Sequence, residues 1–344
     1  MNRPNCFSVH GGDTVQMLET KNELEELGVN VDIYLGDNKY IEYNKYDLVH
    51  IFNIQTDKFS LKQVKKFKKK NKKIIVSPIW WDFEISNIDN EQYFSKKAIY
   101  FSKIFGKNIV ILLKKINLKI RYNRMKKILK HADSILPNSQ SEAELIIDNF
   151  GIEKDKINVI YNGIGKVFER YNFINAERNY VLQVGRIELQ KNTHLTIRAC
   201  KELNIPLVLV GKIVDNEYYK LCLEEGENSE LTIFNNKNHE ELIEIYRKAK
   251  IHILPSMRET PGLVSLEAAS QGCVIVSTDI GSAKDYFGET GAIYCNPYEY
   301  ESVRSAINYA WNFKNQNKNY SFDITKFKWK NAAKDTLEQY NALI

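Results

Sequence analysis

The stretch PSMRETPGLVSLEAASQGCVIVST, residues 255–278, decides the fold. It follows the apolar run 251–254, which Pro255 closes, as expected of a strand buried in a parallel sheet. Leu263 to Ser270 is rich in Leu, Glu and Ala and follows Gly262, so it reads as a helix, with another apolar strand at 274–277. The first turn of that helix presents unpaired backbone N–H groups over Pro261, Gly262, Leu263 and Val264, less the one that proline lacks. Such an end binds anions, because the N–H donors and the positive end of the helix dipole face the same way. Glu259 precedes this end and Glu267 lies about one turn inside it. Carboxylates only accept hydrogen bonds, so two of them beside an anion site suit a ligand with both phosphate and hydroxyl groups, such as a nucleotide sugar.

The surrounding chain sets the architecture. Its 344 residues exceed one typical domain, so two domains of about 150 residues are expected, and a 43% hydrophobic content supplies two cores. Short apolar strands near 6–9, 31–35, 48–52, 74–77, 134–136 and 158–161 alternate with helical segments. A second series follows near 180–184, 207–210, 231–234, 251–254, 274–277 and 292–294. This alternation predicts an α/β fold of two doubly wound parallel sheets with helices on both faces. Ligands of such sheets sit outside the carboxyl ends of the strands, which predicts a site in a cleft between the domains. The polar stretch after NVIYNGIG, near 163–175, marks the boundary.

The pattern around Glu259 and Glu267 resembles the E-x7-E signature of the retaining glycosyltransferases with the GT-B fold, written E-G-F-G-L-x-x-L-E-A, with Thr260 and Pro261 in place of Gly-Phe. The resemblance implies two Rossmann-like domains: an acceptor-binding domain over 1–168, a nucleotide-sugar domain over 169–325, and a last helix, 326–344, that crosses back to the first. It implies that Glu259 lies by the donor sugar and Glu267 holds the ribose hydroxyls. The family's N-G-I/V-D element is similar to Asn162, Gly163 and Ile164, but Gly165 replaces the aspartate and receives no role.

Other motifs extend the resemblance. VGRIELQKNTHLTIRA, residues 184–199, is similar to G-R-x-x-x-x-K-N/G, with Arg186 and Lys191 at its two basic positions. Cations there would stabilise the negative charge that grows on a nucleotide diphosphate as it leaves. VHGGDTVQ, residues 9–16, places Gly11 and Gly12 where the family has a glycine-rich loop near the donor phosphates, with Asp13 or Thr14 as the expected helix cap. In VSPIWWDFE, residues 76–84, many relatives carry a histidine; here Trp80, Trp81 and Asp82 are the acceptor-side candidates, tryptophan faces being suited to sugar rings and equally to core packing. The expected activity is transfer of a sugar, with retention, from a UDP- or GDP-sugar to a hydroxyl of a glycan or lipid-linked acceptor, in cell-surface polysaccharide or glycoconjugate synthesis. The resemblance implies that catalysis falls to Glu259, Arg186 and Lys191. A sugar-nucleotide epimerase, a phosphorylase, or a nucleotide-binding homologue without activity are the alternatives.

Charge and composition narrow the partners. No D-x-D element stands at a donor site and the five cysteines are scattered, so neither a metal nor a cofactor is expected. A run of about 18 apolar residues and a signal-peptide core are both missing, which predicts a cytoplasmic protein. Residues 96–130 hold 12 Lys and Arg and no Asp or Glu, interleaved with Ile, Leu, Val and Phe, and 62–73 add eight lysines. A basic, apolar helical region suits an anionic membrane surface, on the inner face of the cytoplasmic membrane; a helix packed on its own sheet beneath a solvated basic face is the alternative. Nucleic acid is not expected, since no nucleic-acid module accompanies the charge and the whole chain carries only +6.

Overall fold

Strands form where β-branched and apolar residues run together, and their pairing sorts the chain into two units, Met1–Ile160 with Ala333–Ile344, and Tyr161–Ala332. The structure is a computed structural model describing residues 1–8, 11–36, 41–82, 96–169, 177–260, 262–313 and 323–344.

In the first unit Leu48–Phe52 (β1), Lys73–Ser77 (β2) and Ser134–Ile135 (β3) pair in parallel, in the order β1-β2-β3. Val49, Ile51, Ile74, Val76 and Ile135 meet the apolar sides of the helices Asp57–Lys68, Lys107–His131 and Gln140–Phe150. Three expected strands are corrected. Residues 4–8 form a turn, and 9–10 lie outside the described residues. Pro4 lacks the N–H to extend the bridge between Asn2 and Leu35, and the chain folds back as Cys6 N donates to Arg3 O at 3.2 Å. The expected strand at 31–35 is thereby left with that one bridge. Beside β3, residues 157–160 make one bridge and two hydrogen bonds, one of them to the carbonyl of Pro137, which cannot donate back.

A buried carboxylate fixes the end of β2. Ser139 caps the helix Gln140–Phe150 by accepting from Glu142 N, and the Glu142 side chain accepts from Asn138 N at 2.8 Å and Trp80 N at 2.7 Å. Burial nevertheless pushes the Glu142 carboxyl up to about 7. The last residues of the chain also belong to this unit, where Tyr340 Oη lies 2.8 Å from His50 Nδ1 and Ser77 Oγ 2.9 Å from His50 Nε2.

The second unit is a six-stranded parallel sheet of Tyr180–Val184 (β4), Leu207–Val210 (β5), Leu231–Phe234 (β6), Ala249–Leu254 (β7), Val274–Thr278 (β8) and Ile293–Cys295 (β9), in the order β6-β5-β4-β7-β8-β9. Alternate residues serve opposite faces: Val181 and Val276 join one core, Leu182 and Ile275 the other. The chain lays β5 and β6 on one side of β4, then crosses to lay β7, β8 and β9 on the other. The seam between β4 and β7 is therefore the switch point, and ligands of such sheets sit outside its carboxyl end.

Candidate functional site

Two loops leave that seam. The one after β4 carries Arg186 and the turn Leu189–Lys191 into the helix Thr193–Glu202; the one after β7 carries Glu259 to Gly262 and the helix Leu263–Ser270. They are stitched together beneath the surface. Asn192, in a left-handed conformation, donates through Nδ2 to the carbonyls of Pro255 at 2.9 Å and Pro297 at 2.8 Å. Met257 N donates to Gln190 O at 2.9 Å, and the buried Gln183 Nε2 to Lys191 O at 2.8 Å. Held this way, Lys191 Nζ sits 2.8 and 3.2 Å from the two oxygens of Glu259. Their side chains are 18% and 12% exposed, so the pair is shielded and still reachable. Arg186, 43% exposed, pairs with Glu188 at 2.8 Å.

Glycines set the position of Glu259. Gly281 (φ 112°) bridges to it, and Ser282 N donates to Glu259 O at 3.0 Å. A Cβ on Gly281 would lie 2.2 Å from that carbonyl oxygen. Gly262 (φ 74°) caps the following helix without a side-chain hydrogen bond, and a Cβ there would lie 2.9 Å from Glu259 Cγ. The residue at the helix start beside Glu259 is thus a glycine, which has no side chain to cap the helix, and such a start is suited to an anion. One turn in, Glu267 accepts from the hydroxyl of the fully buried Tyr246 at 3.1 Å. Burial pushes the Glu267 carboxyl up to about 7, against the lowering effect of that hydrogen bond.

Residues 10–165 match the family described as Glycosyltransferase Family 4, and residues 167–325 the family described as Glycosyl transferases group 1. The chain belongs to the GT-B glycosyltransferases. It is 27% identical over 230 residues to the uncharacterized glycosyltransferase MJ1607 of Methanocaldococcus jannaschii, a match covering 60% of this chain and 59% of that protein. Its fold is similar to that of sucrose-phosphate synthase from Thermosynechococcus elongatus, with a TM-score of 0.73 at 17% identity over 97% of this chain and 94% of that one. Anabaena HepE in complex with UDP and glucose gives a TM-score of 0.69 at 15% identity, over 96% of each chain.

Of the expected site residues, Arg186, Lys191, Glu259, Gly262, Leu263, Val264 and Glu267 gather at the β4–β7 end of this GT-B chain, and Pro261 lies outside the described residues. Gly11 and Gly12 begin the helix Gly12–Glu26 of the first unit. The expected cap by Asp13 or Thr14 is corrected: Asp13 is drawn to Arg3, at 2.7 and 3.0 Å, and to Asn53 Nδ2 at 3.2 Å, while Thr14 Oγ1 donates to Cys6 O. The acceptor expectation for Trp80 is corrected too. It is 2% exposed, with its ring 4.8 Å from Phe150 and 5.6 Å from Tyr122, so it is a core residue with no free face. Trp81 and Asp82 beside it are half-buried. Sequence reasoning missed Gln183, Tyr246, Gly281 and Ser282. Asn192 stood within the quoted motif, and an Asn just before a helix was the signal for its left-handed turn.

Proposed function

We propose that the chain is a retaining glycosyltransferase that moves a sugar from a nucleotide diphosphate sugar to an acceptor hydroxyl. One observation carries the proposal: a lysine and a glutamate from loops on either side of the switch point meet beside a helix start whose capping residue is a glycine. Lys191, with Arg186 and the N–H groups at Leu263 and Val264, binds the diphosphate and offsets the charge that grows on it as the sugar bond breaks. Glu259 orients the sugar and Glu267 accepts from the ribose hydroxyls. The acceptor hydroxyl attacks the face from which the diphosphate departs, and a departing phosphate oxygen takes its proton. UDP-sugars are the first donors to test, since UDP occupies the similar HepE fold; the acceptor is a glycan or lipid-linked glycan of cell-surface polysaccharide synthesis.

The two glutamates separate by experiment. Glu267→Gln is expected to weaken binding of the bare nucleoside diphosphate, whereas Glu259→Gln leaves that affinity nearly intact and lowers turnover by about 10². Calorimetric titration with UDP and GDP, beside initial rates, reads both; the opposite ranking refutes the roles. Proton NMR of the first-formed product tests retention, an inverted linkage being the contrary result.

The proposal extends to where the enzyme works. Two consecutive helices of the first unit, Lys96–Phe105 and Lys107–His131, leave large apolar side chains in solvent, among them Tyr100 at 64% and Leu113 at 60% exposed, with Ile104, Leu112, Ile116 and Ile120. The second helix packs on the sheet through Met125, Ile128 and Leu129 near its end, and besides these only Val110 of that helix is buried. Among the described residues no helix is long and apolar enough to cross a membrane. An apolar surface set among lysines suits docking on an anionic leaflet. Replacing Lys114, Lys115 and Lys119 together by Gln is expected to remove about 3 kcal/mol of attraction, near 1 kcal/mol per charge. Sedimentation with acidic vesicles should then fall while activity on a short soluble acceptor persists. Sedimentation unchanged by the substitutions, or equal on neutral vesicles, would count against docking.

A further inference from the structure

Glu267 is held by a group outside the loops that form the site. Its carboxylate accepts from Tyr246 Oη through one oxygen at 3.1 Å; among the described residues its other oxygen has no partner. Tyr246 is itself immobilised. It is 0% exposed, its ring meets Phe168 at 6.1 Å and His252 at 5.9 Å, and its carbonyl accepts from Cys273 Sγ at 3.1 Å. A buried tyrosine with one hydroxyl partner fixes the rotamer of that partner, because any other placement of the carboxylate strands a buried O–H.

We propose that Tyr246 is a positioning residue for the donor: its hydroxyl anchors one oxygen of Glu267, aims the other at the donor's hydroxyl groups, and ties nucleotide affinity to the charge of Glu267. The proposal rests on Glu267 being the ribose-binding carboxylate.

The surroundings make the link readable. The titratable and charged groups about the Tyr246–Glu267 pair are His252 on β7, Cys273 ahead of β8, and Arg178, whose guanidinium donates to the carbonyls of Tyr246 and Gln271. The turns Lys166–Glu169 and Ile324–Lys326, packed against the helix of Glu267, bring Lys166, Glu169 and Lys326. Burial lowers His252 to about 3 and raises Cys273 to about 12, so neither changes charge across neutral pH. Glu267, raised to about 7, does. Its protonation removes an acceptor, so affinity should fall as pH drops through that value. Loss of the Tyr246 hydroxyl disfavours the ionised form and should move the fall to higher pH.

Calorimetric titration of UDP and GDP into the wild type, Tyr246→Phe, Glu267→Gln and the double variant, across about pH 6 to 9, tests this. The nucleotide's own phosphate titration is common to all four and cancels in the comparison. Tyr246→Phe is expected to bind about tenfold more weakly near neutral pH. Its deficit should narrow as pH rises and vanish in the Glu267→Gln background. Glu267→Gln binding like the wild type would overturn the ribose assignment itself. Glu267→Gln weakening alone, with Tyr246→Phe like the wild type, would overturn only the role of Tyr246. So would a deficit equal at every pH and persisting in the Gln background, the mark of a structural role. Should Tyr246→Phe not fold, the wild-type profile decides: the absence of a pH step that Glu267→Gln removes overturns the proposal.

Discussion

Lys191→Ala is expected to lower turnover by about 10² to 10³, the cost of losing one preorganised donor to a leaving group. Two effects act in the same direction. The substitution removes the cation, and it also leaves Glu259, which accepts from Lys191 at 2.8 and 3.2 Å, uncompensated beside the incoming diphosphate. Folding should survive, because the ammonium lies in a turn and the anchors of that turn, Asn192 to Pro255 and Gln183 to the Lys191 carbonyl, do not use its side chain. Arg186→Ala should act in the same sense. Initial rates with a saturating donor, beside the circular dichroism of the folded variant, read the effect; near-normal turnover would remove Lys191 from the diphosphate site.

Gly281→Ala is expected to cost about as much, although Gly281 touches no ligand in the scheme. Its φ of 112° is strained for any residue with a side chain, and the new Cβ would lie 2.2 Å from Glu259 O and 2.9 Å from Glu259 N. Relief requires the Glu259 backbone to move, and a shift of about 1 Å at a reacting centre costs on the order of 10² in rate. Nucleotide affinity should change far less, because Glu267 stands on the helix Leu263–Ser270 and is tied to Tyr246 instead. A loss of turnover with retained UDP or GDP binding is the expected signature. Wild-type turnover in a folded Gly281→Ala protein would show that the placement of Glu259 is not limiting.

The site was legible where its chemistry is local. Residues 184–199 and 255–278 each run from strand to loop to helix, and the family motifs these stretches resemble singled out Arg186 and Lys191 in the first and Glu259 and Glu267 in the second. What supports them was not legible, because it comes from distant positions. Tyr246 is 21 residues from Glu267, Gln183 reaches the Lys191 carbonyl from within β4, and Gly281 meets Glu259 across a bridge. None of these carries a pattern before the fold brings it there. In the first unit the limits were of another kind. Residues 31–35 have the composition of a strand, but strand propensity does not supply a pairing partner, and Pro4 ends the one available. Trp80 follows a strand end as a sugar-stacking aromatic would; the Glu142 carboxylate on its backbone N–H and the rings of Phe150 and Tyr122 make it a core residue instead.

In the proposed scheme Arg186, Lys191, Glu259 and Glu267, gathered at the β4–β7 switch point, serve one nucleotide diphosphate sugar. The most direct test is thermal unfolding of the wild type and of Lys191→Ala with UDP-, GDP- and ADP-sugars at about 100 times the dissociation constant, where a bound ligand stabilises by about 2.7 kcal/mol. The expected result is a clear rise in Tm with one nucleotide class, reduced in Lys191→Ala. No rise with any of the three, or a rise of equal size in the variant, would contradict it.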